Sequence, residues 1–289
     1  MSYLLRMGIM ELITIILSGV LSALANGGWI ADAIAKNTLN SNLDSVETLE
    51  VRIDNRPNYQ LINGKLDKLR IATRGILIEQ GLRIDVLELE TDPISVDVTT
   101  LRNSNFKDLP NSFRQPLQAA ARIVITEADL TTALQSETVV QQLQETINGL
   151  VAQRAGNSTR SYELSALQID LLPENRIKLE LQLSRLGTDK KQNRELALAL
   201  ELGFEVIAGV KVNLVEPQGT VNGRPMSERL LGGFAQGISD RLDLTNLESL
   251  GILARLLQLE ITEDKIELVA FTRIEPQSAK TNLSEQVKP

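Results

Sequence analysis

Aliphatic residues at every second position are the feature that most constrains what this chain can fold into. Runs with this period begin at Val51 and recur as far as Leu268. Because successive side chains of a β-strand point to opposite faces, the period predicts strands that each carry one apolar face. Turn residues separate the runs, so the strands are predicted to form antiparallel meanders. At Val86 and Leu87 the alternation slips by one position, which predicts a β-bulge.

Two segments of the sequence have helical spacing instead. Thr126-Glu127-Ala128-Asp129 resembles a capping box that begins a helix, with Asp in place of the preferred Glu. Apolar residues then recur at helical spacing up to Leu150, before Gly156-Asn157-Ser158 ends the element. The second predicted helix has apolar residues at i, i+4 spacing: Met226, Leu230, Phe234 and Ile238.

Two blocks of strands, each followed by an amphipathic helix, predict an α+β fold. With only two helices to cover so many aliphatic strands, the sheet must roll, pair with another sheet or leave an apolar groove open. The predicted division is an N-terminal apolar segment at 1–35, a domain at 36–276 and a polar, disordered tail at 277–289. Two similar halves, about 36–156 and 157–276, are predicted within the domain.

The N-terminal segment contains an apolar run from Leu12 to Ala25, shorter than the roughly 20 residues that span a bilayer. Arg6 and the small-residue ending Ala23-Leu24-Ala25 match the outline of a secretory signal, whereas Glu11 interrupts it. Two interpretations stay open: an export or membrane-anchoring segment, or a helix packed on the domain. The possible start positions are Met1, Met7 and Met10.

The composition narrows the function, because the 289 residues include no histidine and no cysteine. The sequence therefore predicts no cofactor, no metal site and no active site of the Cys–His, Ser–His or zinc type. A net charge of −7, 3% aromatic residues and the lack of a Lys/Arg run argue against nucleic-acid binding. Acidic pairs such as Glu88/Glu90 and Glu201/Glu205 leave a carboxylate-dependent hydrolase open as an alternative.

Three longer stretches have a recognisable order of motifs. They are YQLINGKLDKLRIATRGILIEQGLRIDVLELETDPISVDV (Tyr59 to Val98), RQPLQAAARIVITEADLTTALQS (Arg114 to Ser136) and LQLEITEDKIELVAFTRI (Leu257 to Ile274). They resemble blocks of the LmeA family of phospholipid-binding proteins, especially its cyanobacterial members, and the resemblance extends over roughly residues 10 to 276.

This resemblance implies an exported or envelope-associated protein that binds phospholipid. The implied fold is similar to the tubular lipid-binding group. In that group a long, strongly curved antiparallel sheet wraps around one or two amphipathic helices and encloses an acyl-chain groove. The resemblance implies no catalytic residues.

The predicted function is non-enzymatic phospholipid binding or transfer through an aliphatic groove, with phospholipid and a membrane surface as partners. The predicted location is the cell envelope, on its periplasmic side, or a membrane surface. The candidate groove residues are Ile84, Leu89, Leu198, Leu200, Leu202 and Phe204. The candidate head-group contacts are Arg70, Arg74 and Arg83. The alternatives are a structural envelope protein whose apolar groove is only its core, and the hydrolase.

Overall fold

The computed structural model describes residues 45–56, 58–77, 81–97, 99–100, 112–137, 139–141, 143–145, 161–186 and 195–276. The predictions for residues 1–35 and 277–289 fall outside these ranges and stay predictions. Most of the described residues lie in antiparallel strands, and the helices are few and short. The α+β class and the antiparallel sheets are therefore confirmed.

The strands run in chain order as follows. They are β1 (Ser45–Asp54), β2 (Lys65–Leu66), β3 (Lys68–Leu77), β4 (Arg83–Thr91), β5 (Ile94–Ser95), β6 (Leu117–Thr126), β7 (Ser161–Leu172), β8 (Arg176–Leu186), β9 (Glu195–Ile207), β10 (Lys211–Val221), β11 (Arg224–Pro225), β12 (Ile252–Ile261) and β13 (Lys265–Ile274). The helices with defined bounds are α1 (Glu127–Leu134) and α2 (Glu228–Arg241), and 3-10 turns lie at Asn58–Asn63 and Leu244–Leu250.

These strands form two large open sheets. Sheet one has the order β1–β3–β4–β6–β13–β12, and sheet two has the order β11–β10–β9–β8–β7. A small third sheet pairs β2 with β5. The last hairpin of the chain returns to sheet one, where β13 pairs with β6 from Lys265 opposite Thr126 to Ile274 opposite Leu117.

The core of sheet one lies where both of its faces are covered. Val86 pairs with Val124 on one face, and Leu87 pairs with Ile123 on the other, and all four side chains are buried. The pairing of β4 with β3 and with β6 is continuous through this point. The predicted bulge at Val86 and Leu87 is therefore wrong, because the slip in the apolar pattern marks burial on both faces.

Helix α1 begins where the sequence predicts. The hydroxyl oxygen of Thr126 accepts a hydrogen bond from the backbone N–H of Asp129 at 3.1 Å, which satisfies one of the free N–H groups of the first turn. The helix ends at Leu134 instead of running on to Leu150. The Ser136 hydroxyl donates to the carbonyl of Ala133 at 2.7 Å, a local bond that competes with helix continuation. The backbone is helical again at residues 137, 139–141 and 143–145.

Hydrogen bonds join the two large sheets at separate places. The Glu127 carboxylate at the start of α1 accepts from the backbone N–H of Leu171 in β7 at 2.7 Å. The carbonyl of Gly209, in the β9–β10 turn, accepts from the N–H of Leu256 in β12 at 2.7 Å. Helix α2 packs on sheet two, and α1 lies between the two sheets, where it contacts β7 on one side and β4 and β6 on the other. This packing alone does not show the predicted curved sheet wrapped around the helices. None of the helices in the described ranges has the length and apolarity needed to cross a bilayer.

Candidate functional site

One face of sheet two is aliphatic across its long strands. Leu181 of β8 lies opposite Leu198 of β9, which in turn lies opposite Val221 of β10. Two residues further along, Leu179 lies opposite Leu200. Residues directly opposite each other, or two apart on one strand, share a face of the sheet. The alternating pattern of the sequence therefore builds one continuous apolar surface.

Helix α2 covers this face at β9 and β10. Its residue Ala235 forms a buried cluster with Leu202 and Leu214, which Phe204, Ile238 and Leu242 flank. The hydroxyl oxygen of Ser239, also buried, accepts a 2.8 Å hydrogen bond from the backbone N–H of Leu214. The helix is thus tied to the sheet by both apolar packing and a hydrogen bond.

Gly219 of β10 lets the helix approach closely. A Cβ atom at this position would lie 2.9 Å from Cδ2 of Leu231 in α2 and 2.9 Å from Cδ2 of Leu200 in β9. Such distances are shorter than ordinary van der Waals contact, so a side chain here would push helix and strand apart. A glycine inside a strand often marks such a close approach.

Residues around α1 cover the same face at β7 and β8. Leu134 and Val139 form a buried cluster with Ile169 of β7, and the flanking apolar residues are Leu130, Leu143, Leu167, Ile177 and Leu179. The Gln144 side chain lies at the edge of β7, where its amide oxygen accepts from the N–H of Leu164 at 2.6 Å and its amide nitrogen donates to the carbonyl of Tyr162. The Gln144 amide thus makes two hydrogen bonds to the backbone of β7, as a neighbouring strand would.

Between these two covers, part of the aliphatic face belongs to neither buried cluster of the described residues. It consists of Leu181, Leu198, Leu200 and Val221, which we name the aliphatic strip. Its residue Leu200 borders α2, because it lies next to Leu231 across Gly219. All four side chains are partly exposed. An apolar strip with helices packed on either side of it has the chemistry of a hydrocarbon-binding surface.

The structure brings four of the six predicted groove residues together. Leu198, Leu200, Leu202 and Phe204 share one face of β9, where Leu202 is buried under α2 and the other three are partly exposed. Ile84 and Leu89 lie instead in the buried cluster of sheet one, among side chains such as Leu69, Leu87 and Ile123.

The three predicted head-group arginines already pair with carboxylates. Arg70 contacts Glu90 at 2.9 Å and Asp54 at 2.8 Å, and the hydrogen bond to Glu90 raises the pKa of the guanidinium. Arg74 lies 3.5 Å from Glu88. Both side chains are about half exposed, and in water such pairs contribute little to stability.

Arg83 is the most heavily paired of the three. Its guanidinium contacts Glu47 at 2.9 Å, Asp85 at 3.2 Å and Asp129 at 3.1 Å. The hydrogen bond to Glu47, followed by that to Asp129, raises the pKa of this group. Because Asp129 also belongs to the first turn of α1, Arg83 ties the helix to β4 and β1.

A further ion-paired cluster crosses sheet one at β4, β6 and β13. Arg122 contacts Glu88 at 3.4 Å and Glu267 at 2.7 Å, and Lys265 contacts Glu267 at 2.7 Å. Hydrogen bonds from Arg122 and then Lys265 lower the pKa of Glu267 to about 2. The cluster keeps this part of sheet one hydrophilic, in contrast to the aliphatic face of sheet two.

A cleft of about 570 Å³ lies where the β7–β8 turn meets the end of β12. Its acidic residues are Glu174, Glu260, Glu263 and Asp264, and all four are exposed. Solvated carboxylates of one sign suit neither an acyl chain nor a phosphate group. The described residues hold no group of three or more carboxylates placed to bind a metal ion.

Sequence reasoning missed the parts of this site that depend on packing. The covering role of Ala235 and Ser239 in α2 left no signal, because small residues occur on many helix faces. Gly219 did carry one, since an isolated glycine in a strand-like run points to a bulge or a close approach. Gln144 could not be recognised, because its partners in β7 are not its neighbours in the sequence.

A family model described as LmeA-like phospholipid-binding matches residues 23–271. No curated protein and no solved structure matches the chain significantly.

Proposed function

The chain belongs to the LmeA-like phospholipid-binding family, and on this basis we propose that it binds phospholipid by laying an acyl chain along the aliphatic strip of sheet two. The observation that carries the proposal is the pairing of Leu181, Leu198 and Val221 across three strands, with all three side chains partly exposed. Water contact at such residues is unfavourable, and a hydrocarbon chain would remove it.

The energetics suit reversible binding of a single lipid. Each buried CH₂ group contributes about 0.8 kcal/mol, so an acyl chain lying on the strip gains several kcal/mol without any strong polar contact. The covers at α2 and around α1 are held by small apolar clusters, at Ala235 and at Leu134. Small clusters of this kind open at lower cost than the core of sheet one.

A role for the three arginines at the head group would require an exchange of partners. A lipid phosphate at Arg70 or Arg74 would replace a half-exposed carboxylate, which costs little because such surface pairs are weak. Arg83 would have to release Asp129, which is largely buried and whose carboxylate also accepts a hydrogen bond from the Thr126 hydroxyl. Arg70 and Arg74 are therefore the better candidates of the three.

The proposed role is non-enzymatic and membrane-associated: the protein holds or transfers phospholipid at a membrane surface in the cell envelope. Apolar burial alone accounts for this role, and no catalytic group is needed. In the proposed bound state sheet two curves around the lipid together with its helical covers, as the tubular lipid-binding group would imply.

The test is a titration with phosphatidylglycerol that carries a fluorescent acyl chain. Leu198→Gln and Leu200→Gln place an amide in the strip, and Leu198→Trp fills it. We expect each variant to lose about tenfold or more in affinity, which corresponds to about 1.4 kcal/mol or more of lost apolar contact. Ala199→Gln is the matched control, because its side chain lies on the opposite face of β9.

The control should bind within about twofold of the wild-type chain, since it leaves the strip unchanged. Thermal unfolding of each variant separates lost binding from lost folding. If all of the strip variants fold and bind as well as the wild-type chain, the strip does not bind lipid and is only part of the core. The alternative of a structural envelope protein then applies.

A further inference from the structure

The β9–β10 hairpin ends in an apolar turn that faces solvent. Ile207 is 40% exposed, and Ala208 and Gly209 follow it with φ values of +50° and +70°. Turns with positive φ normally carry Asn, Asp or Gly, which adopt this conformation readily and which water solvates well. Ala208 has neither advantage, so the composition of this turn is unusual for a turn in water.

The other hairpin turns that the structure describes are polar. They are Pro173-Glu174-Asn175 between β7 and β8, Asn222-Gly223 between β10 and β11, and Thr262-Glu263-Asp264 between β12 and β13. Among the hairpin turns that lie wholly within the described ranges, the β9–β10 turn thus differs in exposing apolar residues.

A second exposed aliphatic side chain lies beside this turn. The N–H of Leu256 donates to the carbonyl of Gly209 at 2.7 Å, which brings β12 against the turn. The register of β12 with β13 shifts between Leu256 and Gln258, and Leu257 in the shift is 64% exposed. Irregular pairing of this kind re-aims a side chain. Ile207 and Leu257 therefore lie within two residues of the same hydrogen bond.

Cationic side chains border these apolar residues. Lys211 lies opposite Ile207 in the hairpin, and the Cδ atom of Arg255 lies 3.8 Å from the position of a Cβ on Gly209. Each cation has an exposed acidic partner, Asp240 at 3.0 Å for Lys211 and Glu248 at 3.7 Å for Arg255. Long cationic side chains beside an apolar surface are suited to the phosphate layer of a bilayer.

We propose that Ile207, Ala208 and Leu257 form a docking surface that inserts into the interface of a phospholipid bilayer. Lys211 and Arg255 then lie at the level of the lipid phosphates. The inference rests on the proposed lipid binding, because the docking surface lies at one end of β9, the strand that carries Leu198 and Leu200 of the strip. Helix α2 covers Leu202 between the two surfaces, and the side chain of Ile207 lies on the face of β9 opposite the strip.

The first test uses the absence of cysteine from the sequence, so that one introduced thiol is labelled uniquely. Ala208→Cys, Leu257→Cys and Tyr59→Cys in the full chain are each labelled with an environment-sensitive fluorophore. Vesicles of phosphatidylglycerol and phosphatidylethanolamine are then added. We expect a blue shift and a rise in intensity at positions 208 and 257. Tyr59, 66% exposed on the 3-10 turn before β2, is the control and should show no change.

The second test removes the apolar side chains and measures sedimentation with the same vesicles. Ile207→Ser combined with Leu257→Ser should reduce the bound fraction about tenfold or more, because two aliphatic side chains no longer leave water. Tyr59→Ser should bind as the wild-type chain does. Equal vesicle binding of the double variant and the wild-type chain would overturn the proposal, as would equal shifts at all three labelled positions.

Two further outcomes also decide the question. A wild-type dimer that the double variant abolishes, with vesicle binding unchanged, would mean that the surface is a contact between two copies of this chain. Binding of a monomeric short-chain phosphatidylglycerol separates docking from lipid binding. The double variant should retain it, whereas Leu198→Gln should lose it. If both variants retain it, the strip proposal fails while the docking surface is still judged by the vesicle measurements.

Discussion

The side-chain oxygen of Asn175 accepts a 2.7 Å hydrogen bond from the backbone N–H of Ile261. This bond joins the β7–β8 turn of sheet two to the end of β12 in sheet one, across 86 residues of chain. The carbonyl of Asn175 also accepts from the N–H of Phe204 at 2.9 Å, so this one turn residue bonds to two strands, β12 and β9. Its φ of +56° is one that asparagine adopts more readily than most residues.

We expect Asn175→Gly to lower the free energy of unfolding by about 1–2 kcal/mol, because the buried residue Ile261 loses the acceptor of its N–H group. Glycine tolerates the positive φ, so the loss reports the hydrogen bond and not backbone strain. Urea denaturation measures it. Glu174→Gly, at the neighbouring exposed residue with φ of +60°, is the control and should cost nothing. Equal losses in both variants would show that this hydrogen bond does not stabilise the contact between the β7–β8 turn and β12.

The Arg122–Glu267–Lys265 cluster predicts a pH dependence of stability. The pKa of Glu267 falls from 4.5 to about 2 on folding, so its ionised form stabilises the folded protein. That contribution is complete above pH 4.5 and is lost as the pH falls towards 2. Glu267→Gln should therefore be less stable than the wild-type chain at about pH 6, with a difference that shrinks on acidification through this window.

Urea denaturation midpoints at a series of pH values measure this difference. Glu263→Gln, which removes an exposed carboxylate from the β12–β13 turn, is the control and should run parallel to the wild-type chain. A constant difference between Glu267→Gln and the wild-type chain at all pH values would show that ionisation of Glu267 does not stabilise the folded protein.

The glycines of α2 and β10 should respond oppositely to alanine. A Cβ on Gly237 would meet nothing within 4 Å, so Gly237→Ala should stabilise the protein by about 0.5–1 kcal/mol through helix propensity alone. Gly219→Ala places a Cβ between Leu231 and Leu200 and should destabilise it by about 1 kcal/mol or more. Thermal unfolding of the two variants provides the comparison. Destabilisation by Gly237→Ala would show that the surface of α2 at Gly237 packs against other residues.

The edge of β7 depends on the Gln144 amide. Gln144→Leu should speed hydrogen exchange at the N–H of Leu164 about fivefold or more, because this N–H loses an acceptor worth about 1 kcal/mol. Gln144→Glu keeps the accepting oxygen and should preserve most of the protection. Unchanged exchange in Gln144→Leu would show that another group, or the strand pairing itself, protects Leu164.

Local patterns predicted the strands and the helix start well. Leu198, Leu200 and Phe204 alternate with other residues along one strand, so their common face follows from the period of the sequence alone. Thr126 and Asp129 are three residues apart and cap α1 as their spacing predicts. Where local chemistry competes, the pattern misleads: Ser136 turns the chain inside an otherwise regular apolar repeat.

Pairing between distant segments could not be predicted from the sequence. Ile84 and Leu89 have the same aliphatic character as Leu198 and Leu200, yet they pack in a different sheet. The return of β13 to β6 joins runs whose apolar residues would fit many partners. The phase slip at Val86 likewise could not be interpreted from the sequence, because the sequence does not show that both faces of sheet one are covered at this point.

The most direct test of phospholipid binding is native mass spectrometry of the full chain purified from its own membranes in a mild detergent. We expect a second set of peaks, heavier than the protein by the mass of one phospholipid, which collision activation removes. Leu198→Trp should reduce the lipid-bound fraction strongly, and Ala199→Gln should not. A spectrum with the mass of the free chain alone, together with no phospholipid in an organic extract of the same sample, would show that the protein does not bind phospholipid.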